Sequence, residues 1–159
     1  MKKNAFTVIH IDEDILAVNK AAGLLVAADR WDTEAARLDL LIEQALPQLA
    51  PHCEKLYAVH RIDKDTSGLV LYARTEDAQK ALSSAFEKRE VHKTYHALVY
   101  GHPLWENLDT DLPLLPDGDA RHRTVVNRKS GKPSFTEFTC LGKCGPFSWI
   151  EARPITGRT

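Results

Sequence analysis

The stretch HRIDKDTSG, residues 60–68, crowds His60, Arg61, Asp63, Lys64 and Asp65 between two apolar runs, LYAV and GLVLYA. A carboxylate beside a guanidinium stays ionised well below neutral pH, because the nearby cation favours the charged form. An ionised, partly desolvated carboxylate suits nucleophilic attack at a sugar C1′ or at an activated ring carbon. Asp63, two positions after Arg61, is therefore the candidate reactive group. The same residues also suit a salt-bridged connection without chemistry, since DKDTSG is rich in turn formers. Residue types alone leave both readings open.

Other chemistries find less support. No glycine-rich phosphate loop and no G-x-S-x-G elbow is present. Cys140 and Cys144 have no second Cys/His pair at zinc-like spacing, so with Cys53 they read as ordinary thiols and no metal is expected. An odd, sparse set of three cysteines fits a reduced, cytoplasmic protein. His92 and His96 lie on a segment that alternates like a strand, where positions four apart sit far apart on one face. Trp31, Trp105 and Trp149 are scattered and read as packing anchors. A glycoside hydrolase would need a second carboxylate, and Asp65 is the only nearby candidate.

The elements that must position Asp63 follow from periodicity. FTVIHI and ILAVNKA read as strands around the acidic turn DEDI, and GLLVAA as a continuation of the sheet. A helix is expected over 32–49, capped at Asp32 or Thr33, with an apolar stripe at Leu38, Leu41, Ile42, Ala45, Leu46 and Leu49. Thr75 reads as the N-cap of a second helix bearing Ala78, Ala81, Leu82, Ala85 and Phe86. VHKTYHALVYG reads as a strand, residues 102–119 as a surface loop, and RHRTVVN and SFTEFTCLG as a hairpin around RKSGKP, with Gly131 in the turn. FSWIEARPITG is a final strand. Strands outnumber helices without regular alternation, which predicts an α+β fold with a largely antiparallel sheet.

The chain has 159 residues, 43% hydrophobic and 27% charged, enough for a real core in one domain. No apolar run approaches the roughly 18–20 residues that cross a bilayer. The formal net charge of −1 does not advertise a nucleic-acid binder. Charge is unevenly spread, however: Arg121, Arg123, Arg128, Lys129 and Lys132 face Asp119 alone within residues 118–134.

HRIDKDTSGLVLYAR resembles the catalytic signature of the RluA-type family of RNA pseudouridine synthases, H-R-L-D-x-x-T-S-G-L-L-L-x-A, with Ile62 and Val70 where that pattern has Leu. Four further segments resemble the same family in the right order. They are ILAVNKAAGLLV (N-K-P-x-G, with Ala21 in place of proline), FEKREVHKTYHALVYG (K-x-Y), GKPSFTEF (G-K-P-A/S-x-T-x-aromatic) and FSWIEARPITGRT (the approach to G-R-T-H-Q-I-R). The resemblance implies a catalytic domain over 1–159 with an antiparallel mixed sheet flanked by helices, and no separate N-terminal RNA-binding domain. It also implies a C-terminally incomplete catalytic part. The family continues past G-R-T into H-Q-I-R, including a basic residue that pairs with the catalytic aspartate.

Residue by residue, the resemblance makes Asp63 the catalytic aspartate and Arg61 the side chain that fills the gap left by a flipped uridine. His60 supports the loop. Tyr95 would pack on the uracil and remove the C5 proton; a tyrosine near its ordinary pKa of ~10 is a poor base unless tuned, and a packing role is the alternative. The basic residues 121–132 would grip phosphates of a tRNA or rRNA. No cofactor is implied, because the substrate carries every bond exchanged. The alternative is a non-catalytic RNA-binding protein that keeps the fold with an incomplete site.

Overall fold

Short apolar runs separated by turn residues dominate the chain, and strands dominate the structure. A computed structural model of the protein describes residues 4–29, 32, 34–53 and 55–157. It divides into two compact units, Met1–Lys88 and Arg89–Thr159.

The first unit contains β1 (Phe6–Ile11), β2 (Ile15–Lys20), α1 (Leu38–Leu49), β3 (Tyr57–Ala58), β4 (Gly68–Ala73) and α2 (Glu76–Glu87). Its strands form an antiparallel sheet of order β1-β2-β4-β3. Leu16 and Val18 of β2 and Val70 of β4 are fully buried. From α1, Leu38 and Ile42 are fully buried and Leu46 nearly so, one residue per turn on one face. Most of the molecule's core lies in this unit.

The first helix begins later than expected. Arg37 is its extended N-cap and supplies no side-chain cap. Leu25 and Arg37 instead form an isolated parallel bridge. The N–H groups of Leu38 and Asp39 donate to the carbonyls of Leu25 and Val26 at 2.7 and 3.2 Å. Orphan donors of the first turn are thus satisfied by backbone rather than by a cap. GLLVAA contributes that bridge and no ladder, while Leu24, Leu25 and Val26 are buried in the core. Thr33, the other expected cap, lies outside the described residues, as does Trp31. Thr75 caps α2 as expected, its hydroxyl accepting from the Ala78 N–H at 3.1 Å. Of that helix's apolar stripe, Ala81 is exposed and the others are half-buried.

The second unit contains β5 (Tyr95–Tyr100), β6 (Asn107–Thr110), β7 (Leu114–Leu115), β8 (Val125–Val126), β9 (Thr136–Cys144) and β10 (Phe147–Pro154). β5-β10-β9-β6 form an antiparallel sheet, and β7-β8 a separate small ladder. Two expectations fail here. Residues 102–119 hold two strands, β6 and β7, rather than one loop. RHRTVVN does not pair with SFTEFTCLG: β8 pairs with β7, and β9 with β10 and β6. Leu114 and Leu115 provide the apolar partner of Val125 and Val126, and the chain between RHRTVVN and SFTEFTCLG turns on itself. The Asn127 side chain accepts the N–H groups of Lys129 and Ser130 at 2.9 and 3.0 Å. Gly131 then passes so close that a Cβ there would meet the Asn127 carbonyl oxygen at 2.3 Å.

Tyr72 of β4 is 2% exposed, and its hydroxyl finds no hydrogen-bond partner among the described residues. Burial, and the Asp39 charge after it, push its ionisation above the ordinary tyrosine range. An unsatisfied buried hydroxyl costs about 1–3 kcal/mol. Tyr72→Phe is therefore expected to raise the urea unfolding midpoint. A lowered midpoint would mean that the hydroxyl has a partner worth keeping.

Candidate active site

Residues 60–67 run between β3 and β4 and alternate sharply in their surroundings. The His60 Nε2 accepts the backbone N–H of Leu71 in β4 at 2.9 Å. Its ring stacks on Phe86 of α2, with centroids 4.6 Å apart. Accepting through Nε2 requires that nitrogen to be unprotonated. Ile62 is 7% exposed and anchors the next inward position. Arg61 and Asp63, between and beyond these anchors, are exposed. Asp63 sits at the start of a tight turn, its carbonyl accepting the Thr66 N–H at 3.2 Å. Gly68 then enters β4 at φ +133, a conformation that L side chains rarely adopt.

A buried lysine secures this loop from below. Lys20 ends β2 opposite Gly68 and its side chain is fully buried. Its Nζ donates to the carbonyls of Leu24, Lys64 and Ala21 at 2.6, 2.9 and 3.0 Å. The Lys64 carbonyl also accepts from Gly23 and Leu24 N–H at 2.8 and 3.2 Å. One ammonium with three donors thus joins NKAAG to the residue immediately after Asp63. Burial pulls the Lys20 pKa below the ordinary lysine value, and Asp65 and Asp63 act in the opposite sense.

Lys20 is not among the residues expected at the site, although the sequence carries a signal for it. Leu16, Val18 and Lys20 share one parity of β2, so a core-facing strand pattern ends on a lysine. A charge at such a position has to find hydrogen bonds in the interior.

Among the described residues, no ion pair joins Arg61 to Asp63. Arg61 Nη2 lies instead 3.4 Å from Asp29 Oδ2. Lys64 Nζ lies 2.6 Å from Asp32 Oδ2, which holds the Lys64 ammonium above its ordinary pKa. Asp32, expected as a helix cap, is therefore a partner of this loop.

In the second unit, Tyr95 opens β5 opposite Ala152 of β10 and is half-buried. The GKPSFTEF and ITG segments are tied together, Phe135 donating to Thr156 Oγ1 at 3.0 Å and accepting from the Ile155 N–H at 2.9 Å. A Cβ on Gly157 would stand 3.3 Å from Lys93 Nζ, which places KTY beside the same end of the sheet. Arg158 and Thr159 lie outside the described residues. Arg121, Arg123, Arg128, Lys129 and Lys132 are all exposed. Asp119 engages Arg123 at 2.7 Å and is held below the ordinary aspartate range chiefly by that bond. Arg123 is therefore partly committed within its own loop.

Several residues considered for other chemistry have structural partners. His96 lies 3.3 Å from Glu151 and packs edge-on against Trp149, while Trp105 packs near Phe138. All three cysteines are free thiols. Among the described residues, no group of three or more His, Cys, Asp or Glu side chains could hold a metal. No helix among them is long and apolar enough to cross a membrane.

This arrangement of antiparallel sheets with two helices is the α+β fold of pseudouridylate synthase domains. Human RNA pseudouridylate synthase domain containing 4 superimposes with a TM-score of 0.79 at 23% identity, over 96% of this chain and 60% of the other. Human RNA pseudouridylate synthase domain containing 1 gives 0.77 at 24% identity, over 99% of this chain and 64% of the other. The family pattern described as RNA pseudouridylate synthase matches residues 14–159. The dual-specificity RNA pseudouridine synthase RluA of Salmonella typhi is 33% identical over 153 residues, covering 96% of this chain and 67% of that protein. The ribosomal large subunit pseudouridine synthase C of Vibrio cholerae is 36% identical over 152 residues, covering 96% of this chain and 46% of the relative. The chain belongs to the RNA pseudouridylate synthase family, of the RluA type. It spans about half to two thirds of the length of these relatives.

Proposed function

We propose that this chain carries out the catalytic part of RNA pseudouridine synthesis, converting uridines in structured tRNA or rRNA to pseudouridine. The observation that carries the reading is Asp63 itself. It is exposed between Ile62, set in the core, and the Lys64 carbonyl, pinned by three donors, within a family-matched signature. A carboxylate so placed is free to meet substrate while its backbone is held still.

The reaction breaks the C1′–N1 bond and forms C1′–C5; N1 gains a proton and C5 loses one. No electrons are transferred to or from the base, so the exchange needs no redox partner. Asp63 either adds to the base or removes the 2′ proton. Tyr95 packs on the uracil and takes the C5 proton. C1′ and C5 become reachable together only when the nucleotide leaves its stack, and Arg61 fills the space it leaves. His60, bonded to Leu71 and stacked on Phe86, supports the loop.

The test is release of tritium from 5-tritiated uridine in bulk unmodified RNA, or carbodiimide mapping, comparing the native chain with Asp63→Asn. Turnover by the native chain alone is expected. RNA binding without turnover by the native chain would favour a non-catalytic RNA-binding protein.

The exposed basic residues 121–132 are proposed to grip RNA phosphates, which position without specifying sequence. Removing one cation that neutralises a phosphate lowers the slope of log affinity against log salt by about one unit. Changing Arg128, Lys129 and Lys132 together to Ala should therefore flatten that slope by about 2–3 units. An unchanged slope would remove the loop from the binding surface.

A further inference from the structure

Arg61 and Lys64 flank Asp63, and both are held by carboxylates from a segment that the catalytic signature does not include. Arg61 Nη2 meets Asp29 Oδ2 at 3.4 Å, and Lys64 Nζ meets Asp32 Oδ2 at 2.6 Å. Both pairs span 32 residues, so the two aspartates match the two cations in order and in spacing. The pairs are only partly shielded: the side chains of Arg61 and Lys64 are 57% and 42% exposed. Exposed pairs of this kind are weak and exchange readily for a stronger anion. RNA phosphate is such an anion, and it approaches this loop whenever a uridine approaches Asp63.

We propose that Asp29 and Asp32 are positioning residues: they hold Arg61 and Lys64 in ion pairs that RNA exchanges for its own contacts as substrate docks. The inference rests on the reading of the loop as the site of uridine isomerisation. Before RNA docks, Arg61 stays on Asp29, so a phosphate that takes its charge has first to displace that carboxylate. When a uridine leaves its stack, Arg61 releases Asp29 and occupies the gap. Lys64, whose backbone carbonyl is fixed by Lys20, transfers only its ammonium, so the Asp63 turn does not move. RNA that offers no target base therefore has to displace both carboxylates without gaining the contacts of a flipped uridine.

Salt dependence reports the exchange directly. In the native chain, a phosphate that takes a cation leaves a carboxylate behind, and that carboxylate recruits a cation from solution. This offsets counterion release from the RNA. With Asn at both positions, nothing offsets the release, and the slope steepens by up to about one unit for each exchanged pair.

The experiment measures binding of a cytidine-only RNA and a uridine-containing structured RNA, from low to moderate salt. It compares the native chain, D29N/D32N and D29E/D32E, with folding checked by circular dichroism. For D29N/D32N, we expect cytidine-only RNA to bind about twofold to tenfold tighter with a steeper slope. D29E/D32E should return both quantities towards native values. Equal affinity and slope in native and D29N/D32N chains, with RNA turnover intact, would overturn this inference and leave the proposed function standing. A native chain that neither binds nor turns over RNA would overturn both. Should D29N/D32N fail to fold, the single Asp29→Asn variant is read in the same way against Arg61 alone.

Discussion

Asp63→Asn is expected to bind RNA within about twofold of the native chain and to lose about 10²–10⁴-fold in turnover, the range that a positioned general base supplies. The structure makes this a clean experiment. The Asp63 side chain is exposed, and the bond that holds its turn uses the backbone carbonyl, which Asn retains. Asn has the same shape and cannot act as an anionic nucleophile or base. Loss of turnover with unchanged fold and binding assigns the carboxylate to chemistry. Residual turnover above about a tenth of native would remove Asp63 from that role, whatever the family resemblance.

Lys20→Met should give the second-largest effect, at a residue that is itself fully buried. Methionine matches the length of the stem and donates nothing, so the carbonyls of Ala21, Leu24 and Lys64 lose the ammonium they share. The Lys64 carbonyl keeps the Gly23 and Leu24 N–H groups, whereas the Ala21 and Leu24 carbonyls lose this donor, at about 1–3 kcal/mol for each that is left unsatisfied, partly offset by no longer burying a charge. Activity should fall further than stability, by about 10²-fold, because small displacements of a reacting group carry penalties of that order. Native-like turnover in Lys20→Met would show that the loop holds its geometry without the pin.

The same residue makes a pH prediction with opposite signs for folding and function. The folded pKa of Lys20 lies below its unfolded value, so between the two the unfolded chain binds more protons. Its contribution to stability is then fully present above the unfolded pKa and is lost as pH falls through the folded one. Turnover should move the other way, since an uncharged amine grips three carbonyls less strongly than an ammonium does. In Lys20→Met, both trends should vanish together.

Much of the frame was legible because it depends on neighbours a few residues away. Alternation marked β1, β2, β4, β5, β9 and β10, and a hydroxyl before two acidic residues marked the start of α2. The late start of α1 was not legible, because its first donors are satisfied by Leu25 and Val26 rather than by a local cap. The pairing of β8 with β7 was hidden for a similar reason. Two-residue strands carry too little pattern to choose between partners, and an Asn127 turn with a close Gly131 contact redirected the chain.

For the candidate site, residue types and their order were enough to say which side chains are chemically able: an aspartate, an arginine and a histidine on a short connection between strands, in a recognisable signature. Folding set what each one touches. It placed Arg61 on Asp29 across 32 residues, and set Lys20 beneath the loop by a bond to a carbonyl 44 residues away. The physical reason is range. Backbone periodicity and caps are settled within a turn or a strand, whereas ion pairs and buried donors depend on which distant segments the sheet brings together.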